Sequence, residues 1–291
     1  MLVTLRFITL SFSLFLGACN NSSYNESTSN NSYSDENKTS LNNISSFSRW
    51  PSATLGSSGL NLKVSQEVID ELQNGASDIS NIYQKWNSPL SGQTLLNESV
   101  TAIPNFEPND LTEYGSDNVF GIYLSRQWFS DQDPFALAIT QYFGVRNQSG
   151  ALELVHGDII LNYSGEFLYF SDPTDAAVDE YDLNSIILHE VGHFLGLGHQ
   201  SYSADSVMRP TLIPISTERN LYNLDKETID ELYGSESSSS TYAITASSFS
   251  KSNNRSAKPK GKLVRGVINL LKDGTCIHKE NGREIHRHKR K

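Results

Sequence analysis

The sequence predicts an α+β domain flanked by segments of different character. Three observations lead there. Four short apolar or alternating runs read as strands, three longer stretches carry helical spacing, and all lie between about 48 and 234. The composition turns to Asn and Ser before that interval, and to Ser and then Lys/Arg after it.

Within the interval, a folded chain is expected from Arg49-Trp50-Pro51 onward. Leu60 to Val64 alternates apolar and polar residues and reads as a first strand. Val68, Leu72, Ile79, Ile82 and Trp86 follow helical spacing, so Gln66–Trp86 reads as one long helix, weakened in its middle by Gly75. Residues 87–116 are loop-rich. Asn118–Leu124, Phe135–Phe143 and Ala151–Leu161 are strand candidates, the last two joined by a turn at Asn147-Gln148-Ser149-Gly150. Asp182 is a good N-cap for a second helix, its charge suiting the helix dipole, with Leu183, Ile187, Val191 and Phe194 as its apolar stripe. Leu224-Asp225 opens a last helix with Ile229, Leu232 and Tyr233 on its apolar face and Gly234 as its stop.

The chemistry concentrates in His189-Glu190-Val191-Gly192-His193-Phe194-Leu195-Gly196-Leu197-Gly198-His199. On a helix, residues four apart share a face, so His189 and His193 can share one metal ion. Glu190 can face that ion without binding it and is placed to be a general base for a water molecule. Gly196 permits the positive φ that ends a helix, after which the chain can return His199 as a third ligand. Three nitrogen ligands with one open position suit a catalytic zinc. The competing reading is an ordinary buried helix whose histidines are satisfied by hydrogen bonds.

This pattern resembles the metzincin signature H-E-x-x-H-x-x-G-x-x-H at all five fixed positions: His189, Glu190, His193, Gly196 and His199. Ser206-Val207-Met208-Arg209-Pro210 is similar to the family's Met-turn, and Met208 is the only methionine besides Met1. Leu195-Gly196-Leu197-Gly198-His199 resembles the matrixins in particular, as does the ending Asp230-Glu231-Leu232-Tyr233-Gly234. The resemblance is sharp over 182–210 and looser over the rest of 48–234. It implies a metzincin-like catalytic domain: a twisted, mostly parallel five-stranded sheet with three helices, the active-site helix being followed by the Met-turn. It also implies a zinc metalloendopeptidase, with zinc on His189, His193 and His199, Glu190 as catalytic base and Met208 as a structural base under the ligands. The substrate is expected to lie extended along the sheet edge at about Phe135–Phe143.

Some matrixin features have no counterpart. Animal matrixins carry a second, structural zinc, but Ser130–Asn162 contains only His156, and Ile139 and Ile160 take the corresponding strand positions. Neither a structural zinc nor latency through a cysteine-switch propeptide is expected. Gln200 stands where animal matrixins usually have Ser. Calcium sites are not legible. His156 reads as a surface or strand histidine outside the site.

The flanks carry separate expectations. Residues 1–18 have a positive start at Arg6 and an apolar run, Phe7–Leu16, too short to span a bilayer. The ending Leu16-Gly17-Ala18-Cys19 resembles a bacterial lipobox, implying lipidation at Cys19 and export to a membrane surface; a secreted soluble form is the alternative. The remaining cysteine, Cys276, then has no intrachain partner. Residues 19–47 read as a disordered Asn/Ser-rich tether. Residues 235–262 form a Ser-rich, then basic, linker. Residues 263–291 read as a small basic β-meander with turns at Lys272-Asp273-Gly274 and Glu280-Asn281-Gly282. Residues 251–291 hold 13 Lys/Arg against 3 Asp/Glu in a chain whose net charge is −10. Such a tail could hold an anionic surface or polymer, or the acidic domain itself. His286 and His288 could share a strand face but are expected to be simply exposed. No specific nucleic-acid partner is expected. The two competing functions are a zinc-binding surface adhesin or scaffold, against which an intact Glu190 argues, and a lipoprotein working through its basic tail.

Overall fold

In the computed structural model, the apolar runs satisfy their backbone hydrogen bonds in one large sheet. The structure describes residues 48–147, 150–165, 167–200, 204–234, 261–273 and 275–288. The expected leader, tether and Ser-rich linker lie outside these residues, as do parts of the turns at 147–150 and 272–274. Among the described residues no helix is long and apolar enough to cross a membrane.

The strands are β1 (Ser48–Arg49), β2 (Lys63–Ser65), β3 (Ala102–Ile103), β4 (Gly121–Ser125), β5 (Ala136–Arg146), β6 (Leu152–Asn162), β7 (Leu168–Phe170), β8 (Glu180–Asp182), β9 (Lys262–Leu271), β10 (Cys276–Glu280) and β11 (Arg283–His288). The helices are α1 (Ser52–Leu55), α2 (Gln66–Asp70), α3 (Ala76–Asn87), α4 (Leu183–Phe194) and α5 (Asn223–Tyr233), with a 3-10 turn at Leu111–Ser116. Five strands in the order β3-β2-β4-β6-β5 make the mostly parallel sheet, antiparallel only where β5 meets β6. The domain is α+β and metzincin-like in its architecture.

Both faces of this sheet are covered. Ala138, Leu161 and Leu124 pack in the cluster that holds Leu183, Ile187, Val191 and Phe194 of α4. Ile139, Ile160 and Tyr123 face the other way, toward Leu111, Tyr114 and Phe129. Burial on both faces is why these strands read as continuous apolar runs rather than alternating ones.

Two readings are corrected. The helix expected over Gln66–Trp86 is two helices, α2 and α3. The first ends at Asp70, and Gly75, at φ +56°, is the N-cap from which the second starts, so it marks a new helix instead of merely weakening one. The three strands expected of the basic tail form a meander, β9-β10-β11, but it extends the main sheet. Its β9 pairs antiparallel with β5 from Ala136↔Leu271 to Arg146↔Lys262, and β10 and β11 follow outward in the same sheet. The β5 edge expected to receive an extended substrate is therefore occupied by the chain itself. Alternation alone could not reveal this, because it specifies which face a strand buries and not which partner it finds. The β10–β11 hairpin turns at Asn281 and Gly282, both at positive φ.

The start of the domain locks its end. Trp50 is buried and its indole Nε1 donates to the Phe194 carbonyl at 2.7 Å. The Tyr233 hydroxyl accepts from the Trp50 backbone N–H at 3.0 Å and donates to the Leu195 carbonyl at 2.6 Å. Carbonyls at the C-terminus of α4, which have no partner within the helix, are thereby satisfied by distant segments. Tyr233→Phe would leave a buried donor and a buried acceptor unpaired. It should lower unfolding free energy by about 1–3 kcal/mol per orphaned group, read as a lower urea midpoint at unchanged m-value.

Candidate metal centre

Helix α4 begins at Asp182, whose carboxylate accepts from the Ser185 backbone N–H at 3.1 Å. Arg219 grips the same carboxylate through Nε at 2.8 Å and Nη2 at 2.5 Å. Its C-terminus closes at Gly196, φ +97°. There Gly196 N–H donates to the His193 carbonyl and Leu197 N–H to the Gly192 carbonyl, the pattern of a Schellman cap. A Cβ at position 196 would lie 1.9 Å from the Ser48 carbonyl oxygen, so side-chain bulk is excluded as well as negative φ favoured elsewhere. The tight reversal sends the chain back across the helix and delivers His199.

The three histidines meet. The Nε2 of His199 lies 3.2 Å from that of His189 and 2.9 Å from that of His193. His189 Nδ1 is 2.7 Å from the Val207 carbonyl oxygen, and His193 Nδ1 is 2.8 Å from the Leu197 carbonyl oxygen. A carbonyl can only accept, so each Nδ1 carries the proton and each of these Nε2 atoms presents a lone pair. A proton on His199 Nε2 could satisfy one of its two contacts but not both. Three nearly coincident nitrogen donors of this kind fit a divalent cation better than they fit one another. Burial holds the set neutral: it pulls His189 down to about 4 and His193 and His199 well below the usual imidazole value.

Glu190 is fully buried beside them. Its Oε2 accepts from the Thr140 hydroxyl at 2.5 Å, while its buried Oε1 has no hydrogen-bond partner. Burial raises this carboxyl to about 8, against the opposing pull of the Thr140 hydrogen bond. A cation at the three imidazoles would favour the carboxylate form again.

Met208 is completely buried, and a Cβ at Gly192 of α4 would come within 2.3 Å of its sulfur. The turn that carries it hangs on Asp225. One carboxylate oxygen accepts from the Ser206 hydroxyl at 2.5 Å. The other accepts from the backbone N–H of Val207 at 3.0 Å and of Tyr222 at 2.9 Å. Ser206 Oγ in turn accepts from Met208 N–H at 2.9 Å, and Gln200 N–H donates to the Met208 carbonyl at 2.9 Å.

The structure thus brings together His189, His193, His199, Glu190 and Met208; Cys19 lies outside the described residues. His156 is a buried strand residue, 2.8 Å from Asp158 and away from the cluster. Sequence reading passed over Thr140 and Asp225. Thr140 carries no local signal, since its role is set by strand packing against α4. Asp225 had one, an acid in the first turn of a helix, where capping carboxylates occur. The expected exposure of the tail histidines holds for His286 but not for His288, which is half-buried with its ring 5.6 Å from that of His199.

Residues 123–234 match the family model of the matrixins, Peptidase_M10. Three plant proteins are similar over short stretches. Metalloendoproteinase 4-MMP of Arabidopsis thaliana is 42% identical over 66 residues, 23% of this chain and 19% of that protein. Metalloendoproteinase 2-MMP of Arabidopsis thaliana is 47% identical over 53 residues, 18% of this chain and 14% of that protein. Metalloendoproteinase 1 of Glycine max is 43% identical over 54 residues, 19% of this chain and 17% of that protein. The matched stretch therefore spans less than a fifth of each relative's length.

The Asp225 network predicts a metal-binding phenotype far from the ligands. Asp225→Ala frees the Val207 N–H and the Ser206 hydroxyl, and the latter holds the Met208 N–H of the peptide whose carbonyl orients His189. Zinc affinity should fall about 10–100-fold, the usual effect of losing a group that orients a ligand, measured by competition with a chromogenic chelator.

Proposed function

We propose that this chain, whose residues 123–234 match the matrixin model, is a zinc-dependent endopeptidase acting on protein substrates. The observation that carries the reading is the convergence of three neutral imidazole Nε2 atoms beside a buried carboxylate with one unpartnered oxygen. His189, His193 and His199 would hold the ion and leave a position open, as catalytic zinc requires. Zinc bound there supplies Lewis acidity, lowering the pKa of water toward neutrality and polarising the scissile carbonyl.

The remaining work falls to the chain's own groups. Glu190 Oε1 takes the proton of the attacking water and passes it to the leaving amine. Thr140 fixes the other carboxylate oxygen, so that only Oε1 is available for transfer. The Val207 and Leu197 carbonyls keep His189 and His193 in the ligating tautomer. Met208 contributes shape and apolar contact beneath the histidines and does not ligate.

Leu16-Gly17-Ala18-Cys19 supports a further part of the proposal, lipid anchoring of the exported protein at Cys19 to a bacterial membrane surface. Cys19→Ser should shift the protein from the membrane fraction to the soluble fraction. Unchanged fractionation by immunoblot would remove the anchor from the proposal.

The division of labour between base and ligands is testable. Glu190→Gln should keep zinc near one per chain while peptide hydrolysis falls ~10²–10⁴-fold, the size of a lost general base. His189→Ala, His193→Ala and His199→Ala should each lose zinc and hydrolysis together, because two imidazoles cannot hold the ion as three do. Chelation should silence the parent chain and added zinc restore it. Elemental analysis and a quenched-fluorescence peptide library supply both readouts. Full activity in Glu190→Gln, or parental zinc content in His199→Ala, would overturn the assignment.

A further inference from the structure

Strand β5 has no free edge. It is paired with β6 on one side and with β9 on the other. Residues directly opposite in an antiparallel ladder share a face. Thr140 stands opposite Ile268, Ile268 opposite His278, and His278 opposite His286. Because the Thr140 side chain meets Glu190, this row lies on the Glu190 face of the sheet. The adjoining row, Ala138, Leu270, Cys276 and His288, lies on the same face and brings the His288 ring to 5.6 Å from that of His199. The tail thus lies along β5 and reaches the metal centre.

Its attachment is specific. Arg146 Nη2 donates to both carboxylate oxygens of Glu280, at 2.7 and 2.8 Å. The Tyr142 hydroxyl lies 2.7 Å from His278 Nε2. Ile268 and Leu270 are buried in the same apolar cluster as α4.

An extended peptide binding beside a catalytic centre by strand addition needs the main-chain donors and acceptors of such an edge. Here β9 uses them. We propose that residues 262–288 are an intramolecular inhibitor: β9 occupies the β5 edge that an extended substrate requires, and β11 places His288 against the metal-ligand cluster. The proposal rests on the peptidase reading and names its regulation. The segment must leave the edge before a protein substrate can enter. The long Ser-rich stretch between α5 and β9 is where a cut would separate the two without touching either.

A recognition sequence for an unrelated site-specific protease, inserted after Ser250 in the full chain, allows the tail to be nicked after folding. While joined, the tail competes at an effective concentration of about millimolar; once cut and diluted, it must bind from solution. Turnover of the peptide library should then rise about tenfold or more. A synthetic copy of residues 262–288 should inhibit the nicked enzyme competitively, raising KM and leaving kcat unchanged. In the uncut chain, Glu280→Ala should raise basal turnover and speed hydrogen exchange of β9 amides, without separating tail from domain. Independently of catalysis, a fluorescein-labelled copy of residues 262–288 should bind the nicked, tail-released Glu190→Gln protein and not the uncut one. Equal turnover before and after nicking, with the tail shown to be released, would overturn the proposal and make the tail a permanent wall of the cleft. So would equal binding of the labelled peptide to nicked and uncut protein. Selective peptide binding with no hydrolysis in either form would support the occupied edge and count against the peptidase reading alone.

Discussion

Two imidazole lone pairs cannot hydrogen-bond to each other, yet this chain holds His189 and His193 Nε2 close to a third imidazole nitrogen in a buried pocket. Much of the surrounding architecture holds these three rings together. The Val207 and Leu197 carbonyls fix the tautomers. Asp225 holds the Val207 N–H and the Ser206 hydroxyl of the turn, and the reversal at Gly196 delivers the third ring. Trp50 and Tyr233, from opposite ends of the domain, bind the last carbonyls of the helix that carries the first two. Burial then prevents the alternative relief, protonation of the rings.

The sheet has two roles that pull in different directions. As a platform, β5 carries Thr140 to Glu190 and packs α4 through Ala138 and its neighbours. As an edge, it is the surface through which an extended peptide would be held. An exposed long edge strand also invites unwanted pairing, and covering it is a common remedy. The C-terminal strands provide that cover and, by the register of β9, β10 and β11, turn Cys276, His278 and His288 toward the catalytic face. The same pairing therefore covers the edge and sets the His288 ring 5.6 Å from that of His199.

Much of the site was legible because its pattern is local. Two histidines four residues apart, an intervening acid, a glycine that can take positive φ and a lone methionine in a tight turn are short-range facts, and helix geometry converts them into a place in space. The N-cap at Asp182 was legible for the same reason, and its Ser185 hydrogen bond is a short-range one. The break at Gly75 was half legible: the residue was marked, but an apolar pattern that runs on in phase through 71–75 concealed two separate helices. Thr140 was invisible, because nothing in Ala-Ile-Thr-Gln says which helix will cross that strand.

The sequence by itself determined the metal-binding constellation, the strands and helices that carry it, and the amphiphilic hairpin at the far end, including its Asn-Gly turn. These follow from side-chain period, turn chemistry and the reach of a few residues. Only the tertiary structure decided what the hairpin pairs with. Strand pairing between β5 and β9 joins segments more than a hundred residues apart. It depends on which apolar faces and unpaired backbone groups remain when the domain has formed, and period-2 alternation holds no record of that choice. For the same physical reason the basic tail read in sequence as a β-meander with no stated partner strand. In the folded chain its buried face, Val264, Ile268, Leu270 and Cys276, belongs to the core beside the metal centre.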